Sequence, residues 1–298
     1  MQFPNIDPIL VHIGPFAIRW YALAYVAGIL LGWRYATGLL RNKKLWTNRP
    51  APFSPEQMDD LILWIALGVI LGGRLGHVIF YTPAMIWQNP IGIVKVWEGG
   101  MSFHGGVIGV SIAMIAFAWR NKLDLLRMAD VVCAAYPIGH FLGRIANFIN
   151  GELWGRPTDL PWGMVFCNEQ IVKTYGYCPA GSMPRHPSQL YEAAFEGLIL
   201  FLILRWATHV AKLGNRRGVI VGVFLVFYAL FRIAIENVRE PDVGMPNFPF
   251  GLTMGMILSI PMIFGGAFLI WRGMREPMPA ALPAEEAPLA GQPAPKQA

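Results

Sequence analysis

The chain has 298 residues, 55% of them hydrophobic and 14% charged, with a mean hydropathy of +0.44. An ordinary soluble domain carries roughly 25% charged residues, so most of this chain's folded surface is not built to face water. A soluble enzyme, a disordered chain, a collagen-like repeat and a disulfide scaffold are excluded. The 24 Lys+Arg against 18 Asp+Glu leave a formal charge of +6. In a membrane chain such a surplus reports topology, and no nucleic-acid partner is expected.

A bilayer span needs about 20 mostly apolar residues. The sequence predicts an all-α integral membrane protein with seven transmembrane helices, at roughly 16–39, 59–80, 104–119, 129–150, 190–211, 219–238 and 251–271. Residues 84–98 are too short and too interrupted to span and are expected as an interfacial helix. Residues 1–15 carry no Lys or Arg, so no cleavable signal peptide is expected. No internal repeat is visible.

Basic residues sort by loop. Arg41, Lys43, Lys44, Arg49, Arg120, Lys122, Arg127, Lys212, Arg216, Arg217, Arg272, Arg275 and Lys296 fall on one side, thirteen in all, against five on the other: Lys95, Arg156, Lys173, Arg185 and Arg239. The positive-inside rule places the thirteen in the cytoplasm, the N-terminus outside and the C-terminus inside. The seven-span domain is expected over 1–275 and a disordered Pro/Ala-rich cytoplasmic tail over 276–298. The outward segment 151–189 is long for a connector, so a small folded periplasmic head is expected there. It holds Cys167 and Cys178 on the side where disulfides persist, and the sequence leaves their pairing open.

Ionisable groups within spans are expensive and are functional hypotheses by default. Arg34 and Arg205 lie toward cytoplasmic ends and are expected to snorkel to the headgroups, as is Arg19. His77 and His140 read as packing histidines. Arg144 resists such an account. It lies about 22 Å along span four at about 1.5 Å per residue, in the outer third, with Asn147 one turn on. Arg232, Glu236 and Arg239 in span six share one stripe, and two arginines around one carboxylate leave a positive surplus that suits an anion. Span three opens on Ser102-Phe103-His104-Gly105-Gly106; a histidine there suits general-base work near neutral pH. Tyr21, Arg74, Glu192 and Glu196 sit at the same outer depth. Arginine grips phosphate through paired, charge-assisted hydrogen bonds. An arginine-lined pocket at the outer leaflet therefore fits an anionic phospholipid headgroup. A transporter would place its site near the midplane, often between broken helices.

The stretch Gly143-Arg144-Ile145-Ala146-Asn147-Phe148-Ile149-Asn150-Gly151-Glu152-Leu153-Trp154-Gly155 resembles the signature of the bacterial prolipoprotein diacylglyceryl transferases. Gly99-Gly100-Met101-Ser102-Phe103-His104-Gly105-Gly106 is similar to their histidine–glycine motif. Arg185-His186-Pro187-Ser188-Gln189-Leu190-Tyr191-Glu192 resembles a third block. Phe231-Arg232-Ile233-Ala234-Ile235-Glu236 with Arg239-Glu240-Pro241-Asp242 resembles a fourth. The resemblance implies transfer of the diacylglyceryl group of phosphatidylglycerol to the lipobox cysteine thiol of a prolipoprotein, giving a thioether and glycerol 1-phosphate. It implies the bacterial inner membrane, with the active site facing the periplasm. Its partners are phosphatidylglycerol, the prolipoprotein signal peptide and the bilayer. Arg144 is then expected to hold the lipid phosphate, Arg232 to stabilise the leaving glycerol phosphate and His104 to act as base. Tyr21, Asn147, Glu152 and Gly155 would shape the lipid site, while Glu236 positions Arg232 and meets Arg239. No metal or soluble cofactor is implied, and the sequence shows no metal-ligand cluster.

Overall fold

The computed structural model of the chain describes residues 1–14, 16–241 and 248–282. Asp242, Lys296 and the expected tail beyond 282 lie outside the described residues. In chain order, the strands β1 (Ile9–Ile13) and β2 (Phe16–Arg19) precede helix α1 (Trp20–Arg41), followed by α2 (Pro55–Phe80), α3 (Met85–Gln88), α4 (Phe103–Arg120) and α5 (Leu125–Asn150). Then come α6 (Glu169–Tyr175), α7 (Ser188–Glu192), α8 (Leu200–His209), α9 (Val219–Glu236) and α10 (Met254–Arg275).

Six helices among the described residues are long and apolar enough to cross a membrane: α1, α2, α4, α5, α9 and α10. Their side chains are mostly exposed within the chain, as in the 84% exposure of Trp119, which suits lipid rather than water as the surrounding solvent. The run expected as a fifth span is divided. Between α7 and α8 the helix widens into a π segment, Ala193–Ile199, so no single piece of it has the length of a span. Two expectations are corrected. Residues 16–19 pair with β1 in an antiparallel hairpin, with Val11 opposite Ile18 and His12 opposite Ala17, so α1 begins only at Trp20 and Arg19 lies outside it. Residues 84–98 form the single turn α3 and two 3₁₀ turns, Pro90–Val94 and Val96–Glu98, because Pro90 cannot continue the amide ladder.

The described residues divide into two compact units, Met1–Ala36 with 130–278, and Thr37–Ala129 with 279–282. In the second unit α2 packs along α4. Gly68, Gly72 and Gly76 face Gly105 and Gly109 so closely that a Cβ on Gly76 would stand 2.6 Å from the Gly105 Cα. Small residues of this kind let two membrane helices meet backbone to backbone. Ser102 caps α4 by accepting from the Gly105 amide, which fixes where the helix bearing His104 starts. The buried Arg74 donates to the carbonyls of Gly92, Ile93, Gly99 and Gly100, tying the stretch before α4 to α2.

In the first unit α9 packs along α10, and α1 meets α5 at Gly28 and Gly139. The segment 151–189 carries α6 and the Cys167–Cys178 disulfide, with Cα atoms 5.4 Å apart. A small core of Phe3, Phe166, Ile171 and Ala180 lies there, with Phe148, Trp154 and Met164 against it. The buried Asp130 accepts from the amides of Gly218 and Val221 at 2.8 and 2.9 Å, two of the donors an α-helix leaves unsatisfied at its start. Asp130→Ala should therefore destabilise the folded protein by about 2–3 kcal/mol, read as a lower midpoint of thermal unfolding in detergent; an unchanged midpoint would show that α9 does not depend on this cap.

Candidate active site

Three helical stripes of the first unit meet at one cluster. From α5 come His140, Arg144 and Asn147, spaced so that they lie on one face. Glu192 closes α7 and Glu196 lies one turn further on in the π segment. Arg232 and Glu236 come from α9, with Arg239 just past its end. Glu192 and Glu196 are fully buried.

Each carboxylate is shared. Glu192 Oε2 lies 2.6 Å from Arg144 Nε and 3.7 Å from Arg232 Nη1, and its Oε1 lies 3.5 Å from Arg239 Nε. Glu196 Oε1 stands 3.9 Å from Arg232 Nη1, and its Oε2 is 2.9 Å from His140 Nε2. Glu236 reaches Arg232 Nη2 at 2.9 Å and Arg239 Nη1 at 3.8 Å. The surplus positive charge inferred from Arg232, Glu236 and Arg239 alone is thereby corrected: with Arg144, Glu192 and Glu196 added, three guanidiniums face three carboxylates among the described residues. Helices that are far apart in sequence close the balance.

A polar line leads out of the cluster. Arg144 Nη1 donates to Asn147 Oδ1 at 3.3 Å, Asn147 Nδ2 donates to Glu152 Oε1 at 2.8 Å, and Asn150 Nδ2 reaches the same oxygen at 3.2 Å. Tyr21, whose hydroxyl lies 3.2 Å from that of Tyr25, interacts with Asn147 and Glu152. Arg144 is the most exposed member, at 20%, followed by Arg232 at 14%. These are the groups an incoming anion meets first.

Gly155 stands apart from the charges. Its amide donates to the His186 carbonyl at 2.8 Å, and a Cβ there would come within 2.6 Å of the His186 Cβ. It also forms an isolated antiparallel bridge with Arg239. Gly155 therefore permits close backbone packing beside Arg239. Arg185 adds a bond to the Gly155 carbonyl at 3.2 Å and an ion pair with Glu240 at 3.1 Å. His104 belongs to the second unit, on the first turn of α4, its ring edge-on to Phe103.

Sequence reasoning had assigned His140 to packing; it is instead a member of the cluster. Glu192 and Glu196 stood out by depth but not as counter-ions. The signal was present, since arginines at membrane depth pair with acids or backbone carbonyls, and Glu192 and Glu196 lie at the same depth. His140, Glu192 and Glu196 also bring potential ligand atoms within 4.8 Å of one another, a grouping the sequence did not reveal. The carboxylates are already neutralised by guanidiniums, which a cation would have to displace.

The family model for prolipoprotein diacylglyceryl transferase matches residues 8–272. The phosphatidylglycerol–prolipoprotein diacylglyceryl transferase of Phenylobacterium zucineum strain HLK1 is 66% identical over 97% of this chain and 100% of that protein. The chain belongs to the prolipoprotein diacylglyceryl transferase family. Other relatives of the same name are 58% identical in Caulobacter sp. strain K31, over 97% of this chain and the whole of that protein, and 51% in Bradyrhizobium diazoefficiens, over 95% and 97%. The region matched by the diacylglyceryl transferase model includes every residue of the arginine–glutamate cluster.

Removing one partner from a buried ion network leaves charge uncompensated, at a cost of about 3–5 kcal/mol. Glu192→Leu should accordingly unfold at a markedly lower temperature than Glu192→Gln, which keeps an acceptor for Arg144. Equal midpoints for the two variants would show that Glu192 does not hold the arginines.

Proposed function

We propose that this protein transfers the diacylglyceryl group of phosphatidylglycerol to the lipobox cysteine of prolipoproteins, the first step of lipoprotein maturation. The observation that carries the reading is the cluster of Arg144, Arg232 and Arg239 within a chain that matches the transferase family along nearly its whole length. Seven spans are proposed, with the continuous helical run from Ser188 to His209 as the seventh crossing. The N-terminus and segment 151–189 face the periplasm and the basic loops the cytoplasm of a bacterial inner membrane, following the charge asymmetry of the loops.

In the proposed reaction the cysteine sulfur attacks the glycerol carbon that bears the phosphate ester. A carbon–sulfur bond forms, the carbon–oxygen bond breaks, and glycerol 1-phosphate departs with the electron pair. Arg144 binds the phosphate, since a guanidinium offers it a planar fork of donors. Arg232 stabilises the charge that accumulates on the departing oxygen, and Glu236 and Glu192 hold Arg232 and Arg239 in place for it. Tyr21, Asn147 and Glu152 line the lipid headgroup beside Arg144, while Gly155 keeps the backbone close to Arg239. His104 takes the thiol proton, an assignment made on the family motif.

The test uses purified protein, phosphatidylglycerol and a lipobox peptide with a free cysteine. Wild type should add a diacylglyceryl mass to the peptide and release glycerol phosphate. Arg144→Ala should lose about 10²–10³-fold in kcat/KM. A protein that binds phosphatidylglycerol without modifying the peptide would remove the enzyme reading. His104→Gln should lose at least about 10²-fold at neutral pH. It should recover as pH approaches the thiol's own pKa of about 8.5, because hydroxide then supplies the thiolate. A wild-type rate in His104→Gln at pH 7 would remove the base assignment.

A further inference from the structure

His140 has no part in the reaction as set out, yet its ring contacts both Glu196 and Arg144. Its Nε2 lies 2.9 Å from Glu196 Oε2 and 3.5 Å from Arg144 Nε. Its Nδ1 lies 3.2 Å from the Tyr136 hydroxyl, and the Tyr228 ring stands edge-on at 5.9 Å. The side chain is 8% exposed and Glu196 not at all, so water cannot substitute for either partner.

The contacts place a hydrogen on Nε2. A neutral imidazole nitrogen either donates or accepts, so Nε2 cannot serve Glu196 and Arg144 at once. A carboxylate can only accept, the Glu196 contact is the shorter, and Arg144 Nε already lies 2.6 Å from Glu192. Nε2 therefore carries a hydrogen and gives it to Glu196, while Nδ1 lies 3.2 Å from the Tyr136 hydroxyl. The ring thus separates a guanidinium from a second carboxylate of opposite charge.

We propose that His140 is a positioning residue: by donating to Glu196 it keeps that carboxylate from capturing Arg144, and so leaves the Arg144 guanidinium available to the lipid phosphate. Without the ring, Glu196 Oε2 loses the donor 2.9 Å away, and Arg144, whose Nε lies 3.5 Å from that same ring nitrogen, is drawn toward the carboxylate alongside Arg232, already 3.9 Å from its Oε1. Arg144 would then be held between Glu192 and Glu196, and a phosphate would have to break two ion pairs to engage it. The inference rests on the transferase reading, because it takes the phosphate of phosphatidylglycerol as the anion.

The test compares His140→Leu, His140→Gln and His140→Asn in the full-length protein, using the lipobox-peptide assay and phosphatidylglycerol in mixed micelles. His140→Leu should raise KM for phosphatidylglycerol by about tenfold or more, the worth of one charge-assisted hydrogen bond, with a smaller change in kcat. His140→Gln, whose amide N–H reaches Glu196, should restore the KM, while the shorter His140→Asn should not. Adding His140→Leu to Glu196→Gln should raise KM no further, since a neutral amide exerts little pull on Arg144. A wild-type KM in both His140→Leu and His140→Asn overturns the proposal, as does a Gln variant no better than Asn. Should His140→Leu fail to fold, the comparison of Gln with Asn decides alone. The dissociation constant for phosphatidylglycerol, measured on the same proteins, should follow KM. An inactive wild type would therefore overturn the transferase reading while the binding constants still decide the role of His140.

Discussion

A guanidinium held away from water must have its charge met by the protein, and three of them held together set the terms for the whole first unit. Arg144, Arg232 and Arg239 are met by Glu192, Glu196 and Glu236 at separations of 2.6–3.9 Å. The acids come from a different helical run than Arg144, so α5, α7 and α9 must present their polar stripes to one another at the same depth. Gly255 on α10 leaves the space Glu236 occupies: a Cβ there would lie 2.6 Å from its Oε2. Helix packing and charge pairing are thus one constraint here.

Such a network is a poor device for stability alone, because desolvating ions costs several kcal/mol each and apolar packing often does as well. What it provides is placement. Guanidiniums fixed by carboxylates need little rearrangement when charge develops on a departing phosphate. The balance of three against three also bears on selectivity. Among the described residues, an arriving anion must take an arginine from an existing carboxylate partner. Arg144 is the most exposed of the three, and its partner Glu192 also faces Arg232 at 3.7 Å and Arg239 at 3.5 Å, so the carboxylate keeps two guanidiniums when Arg144 is engaged. A ligand without a phosphate's fork of acceptors has little to offer in exchange.

The sequence displayed the apolar spans, the side on which basic loops collect, and the depth at which polar groups gather. Arg144, Asn147, Arg232, Glu236 and Arg239 could be named because their spacing of three or four residues puts each set on one helical face. What could not be read was pairing between helices. Arg232, Glu236 and Arg239 looked over-supplied with positive charge because Glu192 and Glu196 arrive from another helical run, and no local periodicity announces that meeting. His140 looked like packing because a lone histidine on an apolar face usually is. The hairpin of β1 and β2 was taken into the first span because Phe16, Ala17 and Ile18 are as apolar as the helix they precede. The stretch 84–98 has enough apolar residues for a helix, but Pro90 interrupts the ladder and breaks it into turns.

The π segment has a geometric consequence beyond its hydrogen bonds. An α-helix turns about 100° per residue, and a widened turn absorbs one extra residue. Everything after Ile199 is thereby rotated by about that angle relative to an unbroken helix. At the start of and within the widening, the buried residues are Glu192, Ala193, Glu196 and Gly197; after it, they are Leu200, Leu204, Ala207 and Thr208. One helical run thus buries an acidic stretch beside the arginines and a largely apolar stretch after it. The widened turn sets the angle at which the second follows the first, as a swivel joint does between two shafts.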